Sequence, residues 1–268
     1  LGYAVALGMC ALFGTILPPI FNGEFGGVVS STSGQVILFG LLVCIAGIAM
    51  SGKAGFNKER ELSDEQKNAS VPEFHFGLGL IVALFAGVMS ACMAFGFAAG
   101  KPIAELATAS GLPPIWQNLS VLIVILFGGF CMNFCWCGFL ILRRKNLGVY
   151  WGQPANSATN DGSVDDTAST NWPINYLWCA IAGIVWYMQF FFYGMGTTQM
   201  GAYEFSSWTL HMASIIVFST LWGIALREWQ GTSKATHGWI AAGLLTLIVS
   251  TLIVGYGNYL APAAAAAH

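Results

Sequence analysis

Charge is what this chain has least of. Only 8% of its 268 residues are Asp, Glu, Lys or Arg, while 56% are hydrophobic. A soluble domain carries about a quarter charged residues, so there are too few here to cover a water-facing surface. The ten basic and twelve acidic side chains nearly cancel, and no basic patch is interleaved with aromatics, which excludes a nucleic-acid binder. No Gly-rich phosphate loop of the Walker type is present, so ATP-driven transport has no engine. The His-Glu-x-x-His and Gly-x-Ser-x-Gly patterns are absent, as are paired intramembrane aspartates, which removes the usual signatures of a membrane hydrolase. The seven cysteines all fall in apolar runs and offer no disulfide framework. Cys131, Cys135 and Cys137 cluster among apolar neighbours rather than metal donors, so no metal site is expected.

Long apolar runs dominate what is present. Seven segments, 2–20, 36–51, 76–100, 116–142, 174–200, 206–226 and 238–260, approach or exceed the roughly 20 helical residues that cross a bilayer core. They are continuously apolar and lack the in-out alternation of barrel strands. The expected fold is all-α, a polytopic transmembrane helix bundle. The first run is no signal peptide, since it lacks a basic start, ends in Pro18-Pro19 and precedes six more spans. The chain opens on Leu1 and reads as a fragment whose amino-terminal part is missing. Two helices in 1–52, a cytoplasmic loop at 53–75, five helices in 76–260 with a flexible loop at 143–173, and a tail at 261–268 make up the expected layout. Proline pairs or singles close runs one and three, at Pro18-Pro19 and Lys101-Pro102, which points to an internal repeat. Glycines inside the runs suit closely packed helices.

The basic residues fix an expected orientation. Nine of ten lie in alternate loops: Lys53, Lys58, Arg60 and Lys67, then Arg143, Arg144 and Lys145, then Arg227 and Lys234; only Lys101 lies on the other side. By the positive-inside rule the first set is cytoplasmic and the carboxyl end periplasmic. The acceptor-like Asn68-Ala69-Ser70 is then on the wrong side for glycosylation.

Polar groups held inside apolar runs mark the candidate site. On run five, Trp186, Gln189, Tyr193 and Thr197 recur at steps of three and four, so they share a helix face. Aromatic rings stack on the apolar side of a sugar while amide, indole and phenol groups bond its hydroxyls, which suits a small polyol or sugar. The alternative is interfacial Trp and Tyr with a helix-bridging Gln. On run six, Glu204, Ser207, Trp208 and His211 share a face, with Glu204 at the outer mouth and His211 about 10 Å deeper. A carboxylate above an imidazole can load and relay a proton, since histidine titrates near neutrality. A solvated glutamate and a histidine satisfied by a carbonyl is the other reading. Lys101 lies four residues before Glu105 at the outer side, as a pair, a gate or a substrate contact. Asn133, the deeper of two intramembrane amides with Asn118, is expected to face the bundle interior, because lipid would leave it unsatisfied.

The segments Trp186-Tyr187-Met188-Gln189-Phe190-Phe191-Phe192-Tyr193, Ser207-Trp208-Thr209-Leu210-His211-Met212, Lys101-Pro102 and Gly14-Thr15-Ile16-Leu17-Pro18-Pro19-Ile20-Phe21-Asn22-Gly23 together resemble the bacterial L-rhamnose/proton symporter family of the drug/metabolite transporter superfamily. The resemblance spans nearly the whole chain except the 150–173 loop and the tail. It implies a ten-helix fold built of two five-helix inverted repeats, of which the seven runs match the last seven. It implies uptake of L-rhamnose with a proton across the inner membrane, driven by the proton gradient with no cofactor. At Glu204 it implies an aspartate, so the acid is kept on a longer arm. Sugar, proton and bilayer are the expected partners, and pairing into a homodimer stays open. An exporter of small metabolites and a membrane enzyme acting on lipid-linked sugar are the rival functions.

Overall fold

The computed structural model describes residues 2–61, 76–145, 147–151 and 172–261. The α-helices among them are α1 (Gly2–Phe21), α2 (Phe25–Ser30), α3 (Thr32–Glu61), α4 (Phe76–Ser90), α5 (Cys92–Ala99), α6 (Lys101–Ala109), α7 (Gln117–Arg144), α8 (Trp172–Thr197), α9 (Ser206–Ala225) and α10 (Lys234–Leu260). Eight of these ten follow from the apolar runs, and two, α2 and α6, lie between runs. Single 3-10 turns sit at Pro114–Trp116, Leu147–Trp151 and Gly201–Tyr203. No strand occurs among the described residues. Six helical runs are long and apolar enough to cross a membrane, and Ala6–Phe21 is a shorter apolar helix. Together they match the seven expected spans. Large apolar side chains such as Phe127, Phe130, Met132, Phe134 and Trp178 are exposed along them, as lipid-facing residues must be, so the chain is a multi-pass membrane protein.

The helix ends differ from expectation at three places, each for a physical reason. Pro18 and Pro19 lie inside the last turn of α1 rather than beyond it. There they remove only two N–H donors, and Gly23 ends the helix instead. Its φ is +73°, with Gly23 N–H donating to Ile20 O (3.1 Å) and Glu24 N–H to Pro19 O (2.9 Å). These bonds form the paired C-terminal closure that a left-handed glycine allows. Pro102 likewise stands in the first turn of α6, where a missing N–H costs nothing. Run three is therefore followed by a further helix rather than closed by proline, and it is itself interrupted at Ala91. Third, α3 continues through Lys53 and Lys58 to Glu61, so the start of the expected 53–75 loop is helical. Residues 62–75, most of the 150–173 loop and the tail beyond residue 261 lie outside the described residues, as do Lys67 and Asn68.

The chain divides into two compact units, 1–102 with 196–268, and 103–195. In the first unit the central feature is the antiparallel pair α3 and α10. A Cβ placed on Gly40, Gly47, Gly243 or Gly257 would lie 3.0–3.1 Å from the backbone nitrogen of Val254, Leu247, Ser51 or Ile37, respectively. Each step forward along α3 is matched by an equal step back along α10. Bulky residues of one helix therefore fill the gaps left by glycines of the other. The contact positions on α3, residues 37, 40, 44, 47, 51 and 54, alternate steps of three and four, the spacing of a left-handed helix pair. Ile37, Cys44, Ala54, Leu247 and Val254 are buried there. Both helices also share a sequence phrase: Ile37-x-x-Gly40-Leu41-Leu42 recurs as Ile240-x-x-Gly243-Leu244-Leu245.

Polar contacts close the pair at one end. The Glu61 carboxylate accepts from Ser233 N–H (2.7 Å), Ser233 Oγ (2.7 Å) and Thr236 Oγ1 (2.8 Å), so the last residue of α3 caps the start of α10. Hydrogen bonding from the Ser233 backbone, followed by the two hydroxyls, holds the Glu61 carboxyl below its ordinary pKa. Lys53 and Lys58 lie over the rings of Trp239 (4.2 Å) and Trp229 (4.7 Å) at the same end. Around this pair, α1 packs on α3, α4, α5 and α9, while α9 packs on α10 and α3.

In the second unit, Asn118 Nδ2 donates to Gly194 O of α8 (3.3 Å), Thr108 Oγ1 donates to Gln117 Oε1 (3.1 Å), and Trp116 meets Phe191 at 5.6 Å.

Candidate functional site

The start of α9 is the most enclosed polar region of the first unit. Ser206, Ser207, Trp208 and Thr209 are four consecutive buried residues, so the first helical turn is surrounded on every side. Trp208 is 2% exposed and its indole N–H donates to Cys10 O at 3.1 Å. Its ring lies where a Cβ on Gly14 would stand, so α1 meets α9 at that glycine. One residue on, the hydroxyls of Thr15 and Thr209 bond at 2.7 Å, both fully buried. A direct hydroxyl pair satisfies both groups without water, which a membrane interior requires.

Glu204 precedes this turn in helical conformation (φ −49°, ψ −35°), and its carbonyl accepts from Ser207 N–H at 3.0 Å. The expected spacing from Glu204 through Ser207 and Trp208 to His211 therefore holds. The Glu204 carboxylate lies 3.9 Å from Lys101 Nζ, with both side chains exposed. This partner comes from 103 residues earlier in the chain, and the four-residue spacing to Glu105 does not reveal it. His211 is half-buried, with its ring 5.6 Å from that of Trp208. The structure thus gathers Lys101, Glu204, Ser207, Trp208 and His211 into one region of the first unit.

The other candidates belong to the second unit. Trp186, Gln189 and Tyr193 lie on α8, as the spacing predicts, with Trp186 exposed and Gln189 and Tyr193 half-buried. Trp186 packs edge-on against Phe190 at 5.0 Å. Asn133 corrects the expectation made of it. Its side chain is exposed and donates to Gly129 O of its own helix at 2.9 Å rather than facing an interior. An i−4 carbonyl meets the need for a partner as well as a neighbouring helix does. The buried amide is Asn118 instead.

Several polar residues escaped the sequence reading. Tyr203 places its hydroxyl 2.9 Å from both Ser31 Oγ and Ser33 Oγ, joining the turn before α9 to the start of α3. Asn258 Nδ2 donates to Ser206 Oγ at 2.8 Å, tying α10 to α9. Asn258 is an amide inside an apolar run, the same criterion that singled out Asn118 and Asn133. Thr15 and Thr209 gave no signal, because a threonine in a membrane helix ordinarily bonds its own backbone.

Among known proteins, the model of the L-rhamnose-proton symport protein family matches residues 1–260. The L-rhamnose-proton symporter of Cronobacter sakazakii is 33% identical over 258 residues, covering 96% of this chain and 70% of that protein. Those of Klebsiella pneumoniae and Escherichia coli are 32% and 31% identical over the same shares. No solved structure is similar enough to count as a match. The family match takes in α1, α9 and α8 together, and with them the Gly14–Trp208 contact, the Glu204–His211 stretch and the aromatic stripe. The chain belongs to the L-rhamnose-proton symport protein family.

Proposed function

We propose that this chain takes up L-rhamnose together with a proton by alternating access in the bacterial inner membrane. The observation that carries the reading is the family match across residues 1–260, which includes every helix bearing a candidate site residue. The protein is a transporter and not an enzyme. The proton gradient supplies its energy with no cofactor. Nine of ten basic residues on alternate loops support a periplasmic carboxyl end, which puts Lys101 and Glu204 at the periplasmic mouth.

In this reading Glu204 takes a proton from outside and His211, two helical turns deeper, holds it for release inward. Lys101 stands 3.9 Å from the Glu204 carboxylate at this mouth. Trp186, Gln189 and Tyr193 on α8 recognise the sugar, the rings through its C–H face and the amide and phenol through its hydroxyls. Coupling requires that protonation raise sugar affinity, and by linkage the sugar then raises proton affinity by the same free energy.

Glu204→Gln and His211→Ala, each in the full-length protein, test the coupling directly. The expected result is sugar binding or counterflow that persists while proton-driven accumulation is lost. Accumulation that survives both substitutions would rule out this proton path.

A further inference from the structure

A cavity of about 480 Å³ opens where α9 ends and α10 begins. One part of its lining is polar, with Arg227, Gln230 and His237 beside the Trp229 ring, and another is apolar, with Ile224 and Leu244. It lies at the level of the Lys58–Trp229 and Lys53–Trp239 contacts, the height at which lysine and tryptophan anchor a helix to a membrane surface.

Arg227 and Lys145 are the two residues other than glycine with a positive φ among the described residues. Glu228 N–H donates to Gly223 O (2.9 Å) and Arg227 N–H to Ile224 O (3.0 Å), the same paired closure that Gly23 completes after α1. Arg227 occupies the left-handed place in that closure, with φ +63°. An L side chain there is less favourable than glycine. Lys145 takes the same left-handed conformation after α7, so at both helix ends a basic side chain stands where the carbonyls are left over.

The Arg227 guanidinium, which lines the cavity, offers a counter-charge to an anion. At the start of α10 the Glu61 carboxylate holds the Ser233 N–H and the Ser233 and Thr236 hydroxyls, and His237 Nδ1 lies 3.0 Å from Ser233 O, so an anion is drawn to the Arg227 side of the cavity and not to the helix start. The nearest acid in sequence, Glu228, has its carboxylate folded back along α9 beside Gly223 and does not line the cavity. A phosphate group suits a guanidinium with the Gln230 amide as a further donor on the same lining. The Ile224 and Leu244 wall suits hydrocarbon, which a soluble phosphate ester would leave unused.

We propose that this cavity holds the headgroup and first methylenes of an anionic phospholipid of the cytoplasmic leaflet. The assignment of leaflet rests on the orientation proposed above; the site itself does not.

Lipid retention by the purified protein tests it, with native mass spectrometry after incubation with mixed phosphatidylglycerol and phosphatidylcholine. Wild type retains phosphatidylglycerol preferentially. Arg227→Gly, which relaxes the backbone and keeps the fold, lowers that retention about fivefold, and Arg227→Lys keeps most of it. Equal retention of the two lipids by wild type, or equal retention of phosphatidylglycerol by wild type and Arg227→Gly, overturns the proposal. Displacement of the lipid by glycerol 3-phosphate at matched concentration also overturns it, in favour of a soluble phosphate ester. If labelling from outside reaches the 227–237 turn while the preference persists, the orientation is wrong and the lipid site stands.

Discussion

The Trp208 indole N–H donates to the Cys10 carbonyl at 3.1 Å, and its ring stands where a side chain on Gly14 would be. That single contact sets how α9 lies on α1. It therefore sets where Glu204 and His211, four residues before and three after, come to rest.

Gly14→Ala is expected to destabilise the protein by about 1–3 kcal/mol, because the added methyl overlaps a buried ring that a backbone hydrogen bond holds in place. Trp208→Phe removes the hydrogen bond together with the pyrrole atoms that meet Gly14, leaving a cavity at a fully buried site, a cost of about 1–3 kcal/mol. Thermal unfolding of the purified variants measures both, and an unfolding temperature for Gly14→Ala at or above wild type would mean that the indole is not fixed.

Gly47→Ala on the α3–α10 seam places a methyl 2.9–3.1 Å from Leu247, including its backbone nitrogen. The expected cost is again about 1–3 kcal/mol. Leu247→Ala in the same chain removes the side-chain part of the clash, so the double variant should be more stable than the two single effects add up to. Strict additivity would show that the two residues do not meet.

Glu61 supplies a pH signature at the opposite end of that seam. Its carboxyl pKa is depressed in the folded state, with the Ser233 backbone N–H as the main cause. The stabilisation is therefore fully present above the unfolded value, about 4.3 for an ordinary glutamate, and is lost as pH falls through the lower folded value. Wild type should unfold at a higher temperature than Glu61→Gln at pH 6 and above, with the gap closing below about pH 4. A gap that does not change with pH would show that the charge of Glu61 is not what caps α10.

Much of this could be read from residues alone. Continuous apolar runs gave the spans, because a bilayer leaves few alternatives to helix, and spacing placed Trp186, Gln189 and Tyr193 on one helix. What depended on distant partners could not be read. Lys101 finds Glu204 rather than announcing it by spacing, Thr15 finds Thr209, and Tyr203 finds Ser31 and Ser33. Proline misled at both positions, since at Pro18-Pro19 and at Pro102 it occupies a turn where its missing N–H is tolerated. Asn133 misled because burial was assumed for an amide that its own helix satisfies.

The Lys101–Glu204 pair separates stability from transport. Both side chains are exposed, so Glu204→Gln should change stability by less than about 1 kcal/mol. In the proposed mechanism the same substitution weakens the coupling between proton and sugar by about fivefold or more, read as the dependence of sugar affinity on external pH. A pH dependence equal to that of wild type would remove Glu204 from the proton path.

The most direct measurement is the pH of a lightly buffered suspension of energy-depleted cells that express the full-length protein, followed on addition of L-rhamnose. A proton-coupled uptake carrier draws protons inward with the sugar, so the medium should turn alkaline on adding L-rhamnose and stay unchanged with an unrelated sugar. No pH change in cells shown to take up labelled L-rhamnose, or acidification on its addition, would contradict the account.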